Sequence, residues 1–169
     1  KSEYLSFAIE IADRMIEAFY DPEAGGFYQS TGTKDLIIRL KEDYDGAEPS
    51  GNSVAVLALL KLAAITGKES YRQTADKTLG YFSGRMKSMA VAVPYMVSAA
   101  DFASREPNRV VIAGSVDSSK AKELLRAAHS VYQPHKVILG TNGPIEEFDK
   151  SLADGDKGDV AAFLCKGKH

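Results

Sequence analysis

The chain has no tryptophan and only one cysteine, Cys165, among 169 residues. A single thiol excludes an internal disulfide framework and any zinc site built from cysteines alone. The missing indole weakens the case for a self-contained sugar-stacking platform. Neither sign of charge is in excess, since 21 basic and 23 acidic side chains leave a formal charge of −2. No basic block is present, which argues against a dedicated nucleic-acid binder. No apolar run approaches the roughly 20 residues that span a bilayer. The longest, Val54 to Ile65, is interrupted by Lys61 and reads as a buried helix. These absences point to a soluble protein of a reducing, cytoplasmic compartment, with no membrane and no nucleic acid among its partners.

What is present is a helical pattern followed by an α/β pattern. Leu5, Ile9, Ala12, Ile16 and Phe19 make one stripe, widened by Ala8, Ile11 and Met15, and predict a helix over 3–20. Asp21-Pro22 stops it. Two short β-prone pieces around Gly32, within 25–42, suggest a small hairpin or an ordered loop. The turn-rich stretch from Asp43 to Ser53 then introduces a helix over 53–66, apolar nearly all round and ended by Gly67. A further helix over 69–83 turns Tyr71, Ala75, Thr78, Leu79 and Phe82 inward. Another over 93–104 tolerates Pro94 in its first turn and presents Met96, Ala99, Ala100 and Ala103.

Beyond Pro107 the pattern changes. Residues 109–113 are a buried strand and 136–140 a second. Between them, 117–131 form a helix with Ala121, Leu124, Leu125, Ala128 and Val131 inside. Strand, helix, strand implies a parallel pair with a right-handed crossover. Asp154 to Gly158 is a polar turn, and 160–165 supply a third strand. The expected architecture is mainly α with a small α/β part: helical hairpins over 1–105, then an α/β unit over 106–169.

Residues 39–67, from Arg39-Leu40-Lys41-Glu42-Asp43-Tyr44-Asp45-Gly46 through Ala47-Glu48-Pro49-Ser50-Gly51-Asn52-Ser53 to Thr66-Gly67, resemble a known family. Gly25-Gly26-Phe27-Tyr28, Pro94-Tyr95-Met96, the strand 110–114, Tyr132-Gln133-Pro134 and Val137-Ile138-Leu139 fit it in order and spacing. The chain is identified as resembling the spermatogenesis-associated, thioredoxin-like (YyaL-type) family. The resemblance implies a thioredoxin-like domain followed by a six-hairpin α/α toroid similar to N-acylglucosamine 2-epimerases and six-hairpin glycosidases. This sequence matches only the last hairpins of the toroid and the small α/β tail, an incomplete α/α toroid. The partners implied are the preceding thioredoxin-like and toroid portions, with a carbohydrate as ligand. The abrupt ends, from Lys1 to His169, read as those of an excised piece. Uncovered helix faces then imply exposed apolar surface and self-association.

On the toroid analogy, loops between hairpins gather at one end of a cavity. Asp45 and Glu48 are then the candidate catalytic carboxylates, of the kind that perform acid/base work on sugars. Asn52 is a candidate hydroxyl-binding amide. The same stretch reads equally as a turn at Asp45-Gly46 with Ser50 or Asn52 capping the next helix. The second reading suits the residue types better, and the two are compatible. Gly25-Gly26 reads as a tight turn, or as a place where backbone approaches a ligand stacked by Phe27 or Tyr28. Arg39 and Lys41 share a face if extended, as solvated edge charges or as an anion site. Gly114-Ser115 lacks the glycines and lysine of a phosphate-binding turn. His129, His135 and His169 show no metal spacing. Cys165, at the end of an apolar run, reads as a buried thiol. No cofactor is expected. The function implied is one wall of a carbohydrate pocket with epimerase-like or glycosidase-like chemistry in the full chain; the alternative is a non-catalytic scaffold for the thioredoxin-like domain.

Overall fold

Helix α1 forms over Ser2–Phe19, where the apolar stripe has helical spacing and Pro22 lies just past the end. In the computed structural model, which describes residues 2–32, 38–115, 117–141 and 160–166, Leu5, Ile9, Ala12, Ile16 and Phe19 face the core. Only Ala12 is fully buried, and Ile11, expected to widen that face, is exposed.

Helix α2 spans Gly51–Thr66 and begins two residues earlier than its apolar pattern suggests. Ser50 explains this: its backbone is extended and its hydroxyl accepts the Ser53 N–H at 3.2 Å, an N-cap. The helix stops at Gly67, whose φ of 69° lets its N–H turn back to the Ala63 carbonyl. Helix α3 covers Glu69–Ser88, five residues past the expected end at 83, and continues through Gly84 despite glycine's low helix preference. A 3₁₀ turn over Ala90–Ala92 leads into helix α4, Pro94–Ala103, with its proline in the first turn.

α2 packs against both α3 and α4. Val56 and Leu59 of α2, Tyr71 and Ala75 of α3, and Met96 and Ala99 of α4 are buried in one core. Phe102, absent from the expected face of α4, joins them.

Strand β1 is Asn108–Ala113, helix α5 Ser119–Ser130, strand β2 Lys136–Thr141 and strand β3 Ala161–Lys166. β1 lies in the middle, parallel to β2 and antiparallel to β3. The fold is therefore mainly helical with a small mixed sheet. Central placement buries Val111 and Ile112 on opposite faces of β1. Two residues expected inside α5 are not: Leu125 and Val131 are exposed, and Ala121 alone is fully buried. Val131 lies past the last helical residue, and α5 meets the narrow sheet only along the side that carries Ala121. The sheet docks on the helices where Val137 enters the helical core. Beside it, the His135 imidazole stacks on Phe102 and sits 2.9 Å from Asp101 Oδ2.

The β-prone pieces near Gly32 form no strand among the described residues. Tyr20 and Phe27 make one antiparallel bridge, and the Gln29 N–H donates to the Leu40 carbonyl at 2.8 Å. Leu36 and Ile37 of the second piece, and the turn expected at 154–158, lie outside the described residues.

These packing differences are measurable. Leu59→Ala should cost about 2–5 kcal/mol in urea denaturation, as a cavity in a packed core does. Leu125→Ala should cost less than about 1 kcal/mol. Comparable losses at both positions would contradict the burial described.

Candidate functional site

Asp45 is buried at the junction of α2 and α4. Its Oδ1 accepts the Ser50 N–H at 2.8 Å, and its Oδ2 accepts the Tyr95 and Met96 N–H groups at 2.9 and 3.2 Å. Its own N–H donates to the Ala92 carbonyl at 2.8 Å. The residue flanking α4, Val93, has no side chain that can cap, so Asp45 caps that helix from fifty positions away. Burial pushes the carboxyl up, but the Ser50 N–H, the Ser53 hydroxyl and the Met96 and Tyr95 N–H groups together hold it below the usual range.

Asn52 is buried in the first turn of α2. Its Oδ1 accepts the Phe27 N–H at 2.6 Å, and its Nδ2 donates to the Phe27 and Glu42 carbonyls at 2.9 and 3.1 Å. The side chain thus completes a backbone pairing for Phe27 that no strand provides among the described residues, and ties Phe27 and Glu42 to α2. Ser50, not Asn52, is the helix cap. Glu48 is exposed on the same loop, so the two candidate carboxylates occupy different environments.

A second cluster surrounds Lys41, whose side chain is only 6% exposed. Its ammonium donates to Asp21 Oδ2 at 2.8 Å and to the Gly25 carbonyl at 2.6 Å. It also lies 4.1 Å from the Tyr81 ring centroid and 4.8 Å from that of Tyr28. The Tyr28 hydroxyl donates to the same Asp21 oxygen at 2.8 Å. Lys41, the Ala24 N–H and the Tyr28 hydroxyl hold the Asp21 carboxyl far below the usual range. Arg39 covers the other side of Tyr28 at 3.9 Å from the ring centroid and donates twice to the Ser30 carbonyl. Lys41 is therefore not a solvated edge charge but the centre of a half-hidden cage.

Gly25 and Gly26 make the tight turn. At Gly25, with φ of 84°, a Cβ would stand 2.6 Å from the Lys77 carbonyl oxygen. The close approach that glycine permits is to α3 of the same chain. Phe27 is buried, as a hydrophobic plug.

Tyr28 and Arg39 are thus brought together, Asp45 and Asn52 lie under the same loop system, and Glu48 stands apart at the surface. Lys41 and Asp21 have no local signature: they are 20 residues apart with no shared period, and only the folded loop pairs them. His135 likewise comes to Asp101 only through docking of the sheet, whereas His129 is exposed and His169 lies outside the described residues. Cys165 is buried beside Val111. A separate groove of about 480 Å³ opens between the ends of α2 and α4 and the start of β1, lined by Leu60, Arg72, Phe102 and Pro107. None of the five candidate residues reaches it. Arg72 there is already bound to Asp76 and the Ala103 carbonyl.

Asp45→Asn replaces an acceptor with a donor facing N–H groups and should cost about 1–3 kcal/mol in chemical denaturation. Asp21 and Asp45, together with Asp13, which accepts from the Lys68 ammonium at 2.9 Å and the Tyr71 hydroxyl at 2.7 Å, all have carboxyls held below the ordinary value. Their contribution is full above the unfolded-state value, near pH 4, and is lost as pH falls through the folded-state values. Lys41→Met keeps the stem but removes the charge, so Asp21 should move back toward its ordinary value. The acid limb of stability against pH should then be shallower than in the wild type. An unchanged acid limb would show that the pair does not set it.

No protein-family model matches the chain. It is 36% identical over 150 residues to spermatogenesis-associated protein 20 of Mus musculus, and 35% identical over 150 residues to that of Homo sapiens. Each match covers 88% of this chain. An uncharacterised protein of Caenorhabditis elegans is 30% identical over 176 residues, with 99% of the chain covered. The chain spans about a fifth of the length of these curated relatives, 19% of the mammalian proteins and 23% of the nematode one. Over most of its length, then, this chain is similar to a part of spermatogenesis-associated protein 20.

Proposed function

We propose that this chain is a non-catalytic structural and interaction segment of a longer helical protein. In that protein it forms the closing hairpins of an α/α toroid beside a thioredoxin-like domain. The observation that supports this reading is the state of Asp45 and Asn52. Acid/base chemistry on a sugar needs two carboxyl groups free to approach the reacting oxygen atoms. Asp45 is buried and accepts from three backbone N–H groups, and Asn52 is engaged with Phe27 and Glu42. Each holds loops and helix ends together, which is what a scaffold requires of its polar interior.

The carbohydrate-wall reading retains one observation in its favour. Glu48 is exposed on a loop that also exposes Tyr44, so a hydroxyl acceptor and a ring share one surface stretch. Titrating monosaccharides and disaccharides into the labelled protein, with amide shifts followed by NMR, separates the two. On the scaffold reading no saturable shift appears across residues 43–53. Saturable shifts that vanish in Glu48→Gln would overturn it in favour of a sugar-binding wall.

A further inference from the structure

Arg39 carries a positive charge that no carboxylate offsets among the described residues. Arg14, Arg72, Arg85 and Arg105 pair with the carboxylates of Glu10, Asp76, Asp43 and Asp101. Arg39, although half-buried, is held instead by a neutral carbonyl and a ring. Its Nε and Nη2 donate to the Ser30 carbonyl at 3.2 and 2.8 Å, and its Cζ lies 3.9 Å from the Tyr28 ring centroid. These bonds use the side edge of the guanidinium. They leave its end edge, the outer N–H of Nη2 and the adjoining N–H of Nη1, without an acceptor among the described residues. The neighbouring Asp21 does not supply one. Its Oδ2 accepts from the Lys41 ammonium and from the Tyr28 hydroxyl. Two cations therefore share one carboxylate in this cluster, and the surplus charge sits on Arg39.

We propose that Arg39 is the binding site of a small oxyanion, the carboxylate or phosphate group of a soluble ligand, taken on the end edge of its guanidinium. Two parallel N–H groups in one plane match two oxygen atoms of such an anion. The Ser30 carbonyl and the Tyr28 ring fix that plane before the ligand arrives, so little side-chain freedom is lost on binding. Tyr28 is itself anchored through its hydroxyl on Asp21. A single-atom anion such as chloride cannot span both N–H groups. Residues 38–42 lead to the start of α2, where Asn52 holds the Glu42 carbonyl. The site therefore belongs to the loop end of the helices and not to a helix flank. It goes beyond the scaffold reading and does not rest on it, since holding an anion requires no acid/base group.

The test titrates sodium phosphate, sodium acetate and sodium chloride, at matched ionic strength, into the isotope-labelled 169-residue protein. Amide shifts at residues 28–32 and 39–41 are followed by NMR. Phosphate or acetate should give saturable shifts there that chloride does not, and the tighter of the two names the anionic group of the ligand. Arg39→Lys keeps the charge but loses the fork, and should weaken binding at least about tenfold with helicity unchanged by circular dichroism. Glu48→Gln should leave it unchanged. No saturable shift, an equal response to chloride, or binding undiminished in Arg39→Lys overturns the proposal. So does binding to the 169-residue protein that disappears in the longer chain, which would assign the end edge to a carboxylate of the preceding portion. The neutral saccharides of the scaffold test are read at residues 43–53, so failure of one reading is distinguishable from failure of the other.

Discussion

The Asp45 carboxylate holds the helical part of this protein in register. Two helix starts converge on it: α2 through the N–H of its cap residue Ser50, and α4 through the N–H groups of Tyr95 and Met96. A negative charge at the positive ends of two helices is favourable in itself. The geometry adds a firmer reason. α4 begins at Val93-Pro94, where the flanking side chain offers no acceptor, so its first N–H groups depend on a residue from elsewhere. Removing that acceptor would leave donors at a buried helix end without a partner. The orientation of α4 against α2, and with it the burial of Met96 and Ala99, follows from this contact.

The described residues of 25–32 and 38–42 are fixed by the same strategy on a larger scale. They have little regular structure, yet their backbone groups find partners in Asn52, Thr78 and Lys41. Lys41 is the more demanding case. A lysine with so little exposure is tolerated because Asp21 supplies a counter-charge and Tyr28 and Tyr81 present ring faces to the ammonium. Polar side chains of the kinds found in sugar-processing sites are thereby engaged in holding the chain to itself.

Much of the fold is legible along the chain because it rests on local rules. The stripe of α1, the apolar run of α2 ending at Gly67, Pro94 at the start of α4 and the strand–helix–strand order of the α/β part each follow from spacing or from one residue's backbone preference. Errors arise where neighbours in space decide. Leu125 has the right period to be inside, but α5 meets too narrow a sheet to cover it. α3 runs past its expected end at 83 and carries Gly84 within the helix, against that residue's own preference. In the candidate site, the choice of Ser50 as cap was readable only as one of two options. The clamp of Asn52 on Phe27, 25 residues away, was not readable at all.

The amino-acid sequence by itself determined the kinds of element, their order, and the stock of carboxylates, amides and tyrosines in the loops, since these depend on contacts within a few residues. Tertiary structure alone decided what those polar groups do. Whether Asp45 meets a ligand or a helix end, whether Lys41 is solvated or caged, and whether Arg39 meets a carboxylate or a carbonyl depend on which segments arrive beside them. Hydrogen bonds and ion pairs act over about 3 Å, and no period along the chain encodes a meeting at that range between residues 20 or 50 positions apart.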